Sequence, residues 1–348
     1  MRPSIKDVAR HSGTSISTVS NVLNKRHKVS DELAERVLRS VEELGYVVNP
    51  VASSLKSHKT GVIGVIITDI NCIFFPPMLK GICNVLSAAG YTVSLYDSRQ
   101  SPEREISDIE LLNNMMAEGV ILDSVAAAAK RAYFEELGRK SNGRMPIVCV
   151  ENDLSPWGFD SVMIDNRAGA HTAVRHLIEM GCRRIVHISN SNASMIAKDR
   201  RDGYWDALKD AGISRDPALL CEGDFSPQSG YKAMSKVIRS GISFDGVFAA
   251  NDQMAIGALR ALDAAGMSVP GDVKIVGYDN TFVSSLVNPS LTTISVPGYE
   301  MGTVAAQLLL DRMNNPRLPV HRELLEYELL IRRSTVASAK TSWDMTYW

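Results

Sequence analysis

The chain has 348 residues, 45% apolar and 22% charged, an ordinary globular composition that is too long for one core, so two or three domains are expected. No window reaches the roughly 18 uninterrupted apolar residues of a spanning helix, and the opening MRPSIKDVAR lacks the apolar core of a signal peptide, so a cytoplasmic protein without a membrane partner is expected. The net charge of −1 conceals an asymmetry: residues 1–60 carry ten Lys and Arg against six Asp and Glu, the remainder 28 against 33, which suits phosphate contact by the first segment and equally a solvated basic face.

Residues 1–46 read as three short helices of a head spanning 1–47. Ser4 can cap the first, with Asp7 as its capping-box partner and Ile5, Val8 and Ala9 as its apolar face. Ser15 can cap a second helix, whose buried stripe is Val19, Val22 and Leu23. A third starts at Ser30, carries Asp31 and Glu32 in its first turn, repeats Leu33, Val37 and Val41, and stops at Gly45. That order is helix, tight turn, helix, supporting helix. Residues 48–60 form a linker in which Asn49 and Pro50 suit a cap and first helical position. So short a helix is marginal in water alone.

From Val62 the pattern changes to short β-branched runs (VIGVII, VSLY, GVIL, PIVCV, SVMI, RIVHIS, GVFAA, VKIVGY) alternating with amphipathic helical segments that end at Gly90, Gly181, Gly212 and Gly266. This predicts a parallel α/β body with helices on the sheet faces. Its length favours two similar lobes over one sheet. The five cysteines stand singly, without a C-x-x-C pair, and read as reduced core residues; the seven histidines show no metal-ligand spacing. No G-x-x-x-x-G-K-[ST], H-E-x-x-H, G-x-S-x-G or nicotinamide fingerprint is present, so neither catalysis nor a cofactor or metal is expected.

In a helix-turn-helix the second helix enters the major groove, and here its exposed positions are Ile16, Ser17, Thr18, Ser20 and Asn21. Asn21 can pair with an adenine edge, Ser17 can bond several bases and Ile16 can pack on a thymine methyl. By composition alone these small residues also fit an ordinary surface. Their setting weighs the other way: IKDVARHSGTSISTVSNVLN followed by VSDELAERVLRSVEELGYVVNPVASSLK resembles the head of the LacI/GalR (lactose/galactose-repressor) family through some sixty residues.

That resemblance implies a sequence-specific regulator, usually a repressor, that binds a pseudo-palindromic double-stranded operator as a homodimer. It puts Ile16, Ser17 and Asn21 at the specificity positions. It puts Val51, Ala52, Leu55 and Lys56 on a hinge helix, with Leu55 as the minor-groove wedge that kinks the duplex. Ser4, Ser15, Asn24 and Val29 complete the expected DNA-facing set.

IGVIITDINCIFF, VMIDNRAGAHTAVRHLIEMGCRRIVHIS, GVFAANDQMAIGALRAL and KIVGYDN extend the resemblance to about residue 335. They imply a two-lobed periplasmic-binding-protein-like body over 61–340, with a small-molecule effector in the cleft. Lobe 1 is expected at about 61–162 and 293–322, lobe 2 at about 163–292 and 323–338, and a tail at 341–348. Arg200 and Asp279 match an effector-gripping pair, and Phe225 matches a stacking aromatic; Phe74 and Phe75 fit either aromatic contacts or core. Asn251 is expected as a contact with Asp252 as a helix cap, and Asp69 is a further candidate at the end of a strand.

The expected effector is a sugar or sugar derivative. Ile196 and the VENDLSPWGF segment depart from the purine-binding member, which counts against a purine or nucleoside effector as the alternative. A sugar-binding transport protein would suit the body and not the head. RRSTVASAKTSWDMTYW has no heptad leucines, so no tetramer-forming coiled coil is expected.

Overall fold

The computed structural model describes residues 3–24, 29–46, 60–127, 129–140, 145–190 and 195–340. The chain divides into two compact units, residues 1–60 and 61–348. The tail 341–348, the linker short of Thr60, and with it Val51, Ala52, Leu55 and Lys56, lie outside the described residues.

The head holds α1 (Ile5–His11), α2 (Ile16–Asn24) and α3 (Asp31–Leu44). Ser4 donates to Asp7 Oδ2 from its backbone N–H (2.9 Å) and its hydroxyl (2.7 Å), and these bonds hold the Asp7 carboxyl below its ordinary pKa. Ser15 Oγ accepts the Thr18 N–H at 3.0 Å, satisfying one of the donors that α2 leaves open. Gly45, at φ +60°, turns the chain off α3, where the Tyr46 N–H bonds the Val41 carbonyl at 2.9 Å. Val8, Val19 and Val37, one from each helix, are wholly buried together, ringed by Ile5, Val22, Leu23, Val41, Leu44 and Tyr46. Burying each such valine contributes about 1.5 kcal/mol or somewhat more, so the head rests on few contacts.

The body is built on two six-stranded sheets. The first has the order β11-β5-β4-β3-β1-β2, from β1 (Val62–Ile67), β2 (Thr92–Asp97), β3 (Gly119–Asp123), β4 (Ile147–Val150), β5 (Asp160–Ile164) and β11 (Arg322–Leu325), all parallel. The second has the order β12-β10-β9-β8-β6-β7, from β6 (Ile185–Asn190), β7 (Leu220–Gly223), β8 (Gly246–Ala249), β9 (Lys274–Asp279), β10 (Thr292–Ser295) and β12 (Glu328–Leu330). It is parallel except for β12, which runs antiparallel to β10. Helices cover both faces, which is why β3, β4 and β5 are buried at every position. On one face α4 (Phe75–Ala88) lies against α12 (Gly298–Asn314); a Cβ on Gly81 or Gly302 would collide with the backbone of the facing helix.

The strands correct the expected lobe limits. Met163 and Ile164 belong to β5, and Glu323 to Leu325 to β11, so both groups lie in lobe 1; Thr293 to Ser295 belong to β10 in lobe 2. A strand stays with its ladder until its last hydrogen bond, so among the described residues the chain crosses between lobes at Asp165, at Val296–Pro297 and at Glu326–Tyr327. Strands β7, β10, β11 and β12 were not expected from sequence. Three of them are edge strands, and TTIS in β10 is polar.

Candidate functional site

In the head, α2 turns Val19 inward and leaves Ile16 45% exposed beside exposed Ser17, with Thr18, Ser20 and Asn21 half-buried. The Ser15 hydroxyl lies 2.6 Å from Ser17 Oγ and 2.8 Å from Thr18 Oγ1, so the first turn of α2 presents linked hydroxyls beside one apolar side chain. Ser4 is exposed and Val29 half-buried; the Asn24 side chain lies outside the described residues.

In the body, the strand orders reverse between β1 and β3 and between β6 and β8, and ligands of such sheets sit beyond the carboxyl ends of the strands at that point. A cavity of about 450 Å³ occupies that place between the lobes. Lobe 1 lines it with Thr68, Asp69, Asn71, Cys72, Gln100 and Asp123, and lobe 2 with Asn190, Ile196, Asp224, Phe225, Gln228 and Gln253. Two bonds span it, Ile73 N–H to Gln253 Oε1 at 3.0 Å and Gln100 Nε2 to the Asp224 carbonyl at 3.4 Å. Carboxylates accept from hydroxyls while amides both donate and accept, so this lining can read a polyhydroxylated molecule from several sides. Phe225, held at φ +67°, adds an apolar face, and its carbonyl accepts from Asn251 Nδ2 at 3.0 Å.

A buried charged group completes the site. Arg200, on α8 (Met195–Asp210) and 2% exposed, donates from Nε to Asn166 Oδ1 (2.9 Å) and from Nη1 to the Ala250 carbonyl (2.6 Å) and Asp279 Oδ1 (3.3 Å). Its Nη2 lies 3.8 Å from Glu151 Oε2 in lobe 1, and its guanidinium stacks 3.7 Å from the Tyr278 ring centroid. Burial pushes the Asp279 carboxyl up to about 6, against the pull of Arg200. Burial likewise pushes Glu151 up to about 8 and Asp123 up to about 6, the latter opposed by the Thr68 hydroxyl at 2.8 Å. Glu151 Oε1 has no hydrogen-bond partner among the described residues. Glu105 is wholly buried and accepts from Ser124 Oγ and the N–H groups of Val125 and Ala126, fixing the loop after β3 at the cavity wall.

The matches to known proteins follow these two sites. The model of bacterial regulatory proteins of the lacI family matches residues 4–49, and that of the periplasmic binding protein-like domain matches residues 174–335. The HTH-type transcriptional regulator RegA of Clostridium saccharobutylicum is 36% identical over 337 residues, 97% of this chain and 100% of that protein. The chain belongs to the lacI family of bacterial regulatory proteins. The ribose operon repressor of Halalkalibacterium halodurans is 32% identical, over 95% of this chain and 96% of its own length. The Lac repressor dimer bound to operator and the anti-inducer ONPF superposes with a TM-score of 0.83 at 27% identity, covering 96% of this chain and 99% of that one. Like the family, the chain is a DNA-binding transcriptional regulator controlled by a small molecule.

Within this family frame the cleft differs from expectation in several places. Asp69 and Phe225 line the main cavity, and Arg200 and Asp279 do not. The latter two bond each other, and Asp279 with Phe74 lines a second cavity of about 200 Å³. Phe75, 4% exposed, is core, packed edge-on against Phe74. The roles expected of Asn251 and Asp252 are corrected. Asn251 Oδ1 caps α10 (Asp252–Ala264) by accepting the Met254 N–H at 2.9 Å, and its amide supports Phe225, so both ends of its side chain are engaged within the protein. Asp252 lies inside the helix and binds the Thr281 N–H and the Thr281 and Thr293 hydroxyls.

The cysteines also divide. Cys149 and Cys182 are buried, whereas Cys72 faces the cavity and Cys83 and Cys221 are half-buried. Glu151, Asp123, Asn166 and Gln253 were not singled out from sequence. The available signal was an acidic residue at the carboxyl end of a buried strand: GVILD, IVCVE and KIVGYD each end on one. Among the described residues no group of three or more His, Cys, Asp or Glu could hold a metal, and no helix is long and apolar enough to cross a membrane.

Proposed function

We propose that the chain is a homodimeric repressor whose operator affinity is set by a sugar or related polyol bound between the lobes of the body. The observation that carries the effector class is the cavity of about 450 Å³ lined by carboxylates, side-chain amides and Phe225, a lining matched to vicinal hydroxyls and one C–H face. The similarity to a ribose operon repressor and to a Lac repressor that binds ONPF agrees with it. The operator-reading set is Ile16, Ser17 and Asn21, supported by the exposure of the first turn of α2. Ser4, Ser15, Thr18, Ser20, Asn24 and Val29 contribute backbone contacts, and Val51, Ala52, Leu55 and Lys56 carry the minor-groove contacts. The chain acts without catalysis, by differential binding of the effector to two arrangements of the lobes.

The test is a fluorescence-anisotropy titration of palindromic and scrambled DNA, with full-length protein and with residues 1–60 deleted. Full-length protein is expected to prefer the palindrome by ~10³-fold or more, and the deletion to bind neither DNA while keeping its thermal response to the effector. Equal affinity of the full-length chain for both DNAs rejects the operator reading.

A further inference from the structure

We propose that the effector carries no anionic group: the cleft takes an uncharged or amine-bearing sugar and rejects the phosphorylated or carboxylated form of the same sugar. This rests on the reading of the cleft as a sugar site and specifies its charge.

Three carboxylates, Asp69, Asp123 and Asp224, stand on the cavity wall, and among the described residues no Lys or Arg lines it. Residues 191–194, which fall in sequence between the lining residues Asn190 and Ile196, are Ser-Asn-Ala-Ser and bring no cation either. The remaining polar lining is hydroxyl and amide. The two smaller cavities that flank the cleft have the same character. One presents Asp279 and Glu300; the other presents Glu151, Asp165 and Asp199, with its lone Arg322 paired to Asp153 at 2.6 Å.

Arg200 is the cation that an anionic effector would need, and it is already engaged. Nε, Nη1 and Nη2 face Asn166, the Ala250 carbonyl with Asp279, and Glu151 respectively, and Tyr278 covers the guanidinium plane. A phosphate could reach Arg200 only by displacing the Asp279 carboxylate, which is itself buried, leaving it without a counter-charge. It would also enter a wall of like charge, the arrangement by which sites reject a wrong partner. A hydroxyl meets no such barrier. An ammonium is attracted by the aspartates on the wall.

The experiment is calorimetric and thermal-shift titration of the full-length protein with charge-matched sets: ribose and ribose 5-phosphate; glucose, glucosamine, glucose 6-phosphate and glucuronate; galactose, galactosamine and galacturonate. The expected result is that one set raises the melting temperature through its neutral or amine-bearing member, its anionic member binding roughly 100-fold more weakly or worse. An anionic member that binds as tightly as its neutral parent overturns the charge assignment and leaves the sugar cleft standing. A response to none of the sugars in any charge state overturns the cleft reading and the charge assignment with it.

Discussion

The head and the cleft solve recognition in opposite ways. The face of α2 is contiguous: Ile16, Ser17 and Asn21 lie within two turns of one helix, capped by the residue just before it and seated on a core of three valines. The cleft is assembled from the ends of strands far apart in sequence, and Arg200 alone joins Asn166, Ala250, Asp279 and Glu151. A local device can change one side chain with little effect on the rest, since its bonds, such as that of Ser17 to Ser15, stay within one turn. In a convergent device each polar group is also another's partner, so a specificity change there is a stability change as well.

The largest test of this contrast is Arg200→Ala. It leaves Asp279 buried without its cation, and a loss of about 3–5 kcal/mol of body stability is expected, with the effector response abolished. Chemical denaturation followed with and without effector measures both, while operator affinity without effector stays unchanged. If stability holds and only the effector response goes, the cleft is less interdependent than argued.

Next is Glu151→Gln, read against pH. Glu151 titrates near 8 in the fold against 4.5 ordinarily, so the folded chain holds a proton that the unfolded chain releases. The stabilising contribution of that proton is complete below about pH 4.5 and is lost as pH rises through about 8. The glutamine variant keeps the neutral form at every pH. Its stability advantage is expected to grow from nothing in acid to about 5 kcal/mol above the folded pKa; a constant offset across the same pH series would contradict the assignment.

For the head, Asn21→Ala is expected to weaken the preferred operator by about 1–3 kcal/mol and to relax discrimination at one base pair of each half-site, with no change in either melting transition. Competition against operators substituted one position at a time reads this directly. The smallest effect is that of Ser15→Ala, which removes the α2 cap and costs about 1 kcal/mol of head stability. Amide hydrogen exchange is expected to show it in α2 and nowhere in the body.

The same contrast governs what the sequence made legible. The three head helices follow from caps and apolar spacing within a few residues of each other, and Ser4, Ser15 and Gly45 stand where local chemistry puts them. Seven of the eight β-branched runs are legible because burial on both faces demands continuous apolar stretches, and VSLY, on the half-exposed edge strand β2, is legible from its residue types alone. LCEG, RELL and ELL escape because an edge strand needs only one neighbour and no apolar run, and TTIS because its hydroxyls find buried partners, Thr293 on Asp252 among them. The internal bonds of Asp252 to Thr281 and Thr293 and the core position of Phe75 depend on which segments pack alongside, information that no short stretch of sequence holds.

The three strand crossings at Asp165, Val296–Pro297 and Glu326–Tyr327 have a kinematic consequence. Three tethers, each one to two residues long, leave the two lobes almost no freedom to slide or separate, and the low-cost relative movement that remains is rotation. A molecule seated across the gap is therefore converted into an angle, and any distance measured between lobes grows in proportion to its separation from those tethers. Spin or dye pairs placed at successive heights above the crossings would report one common rotation.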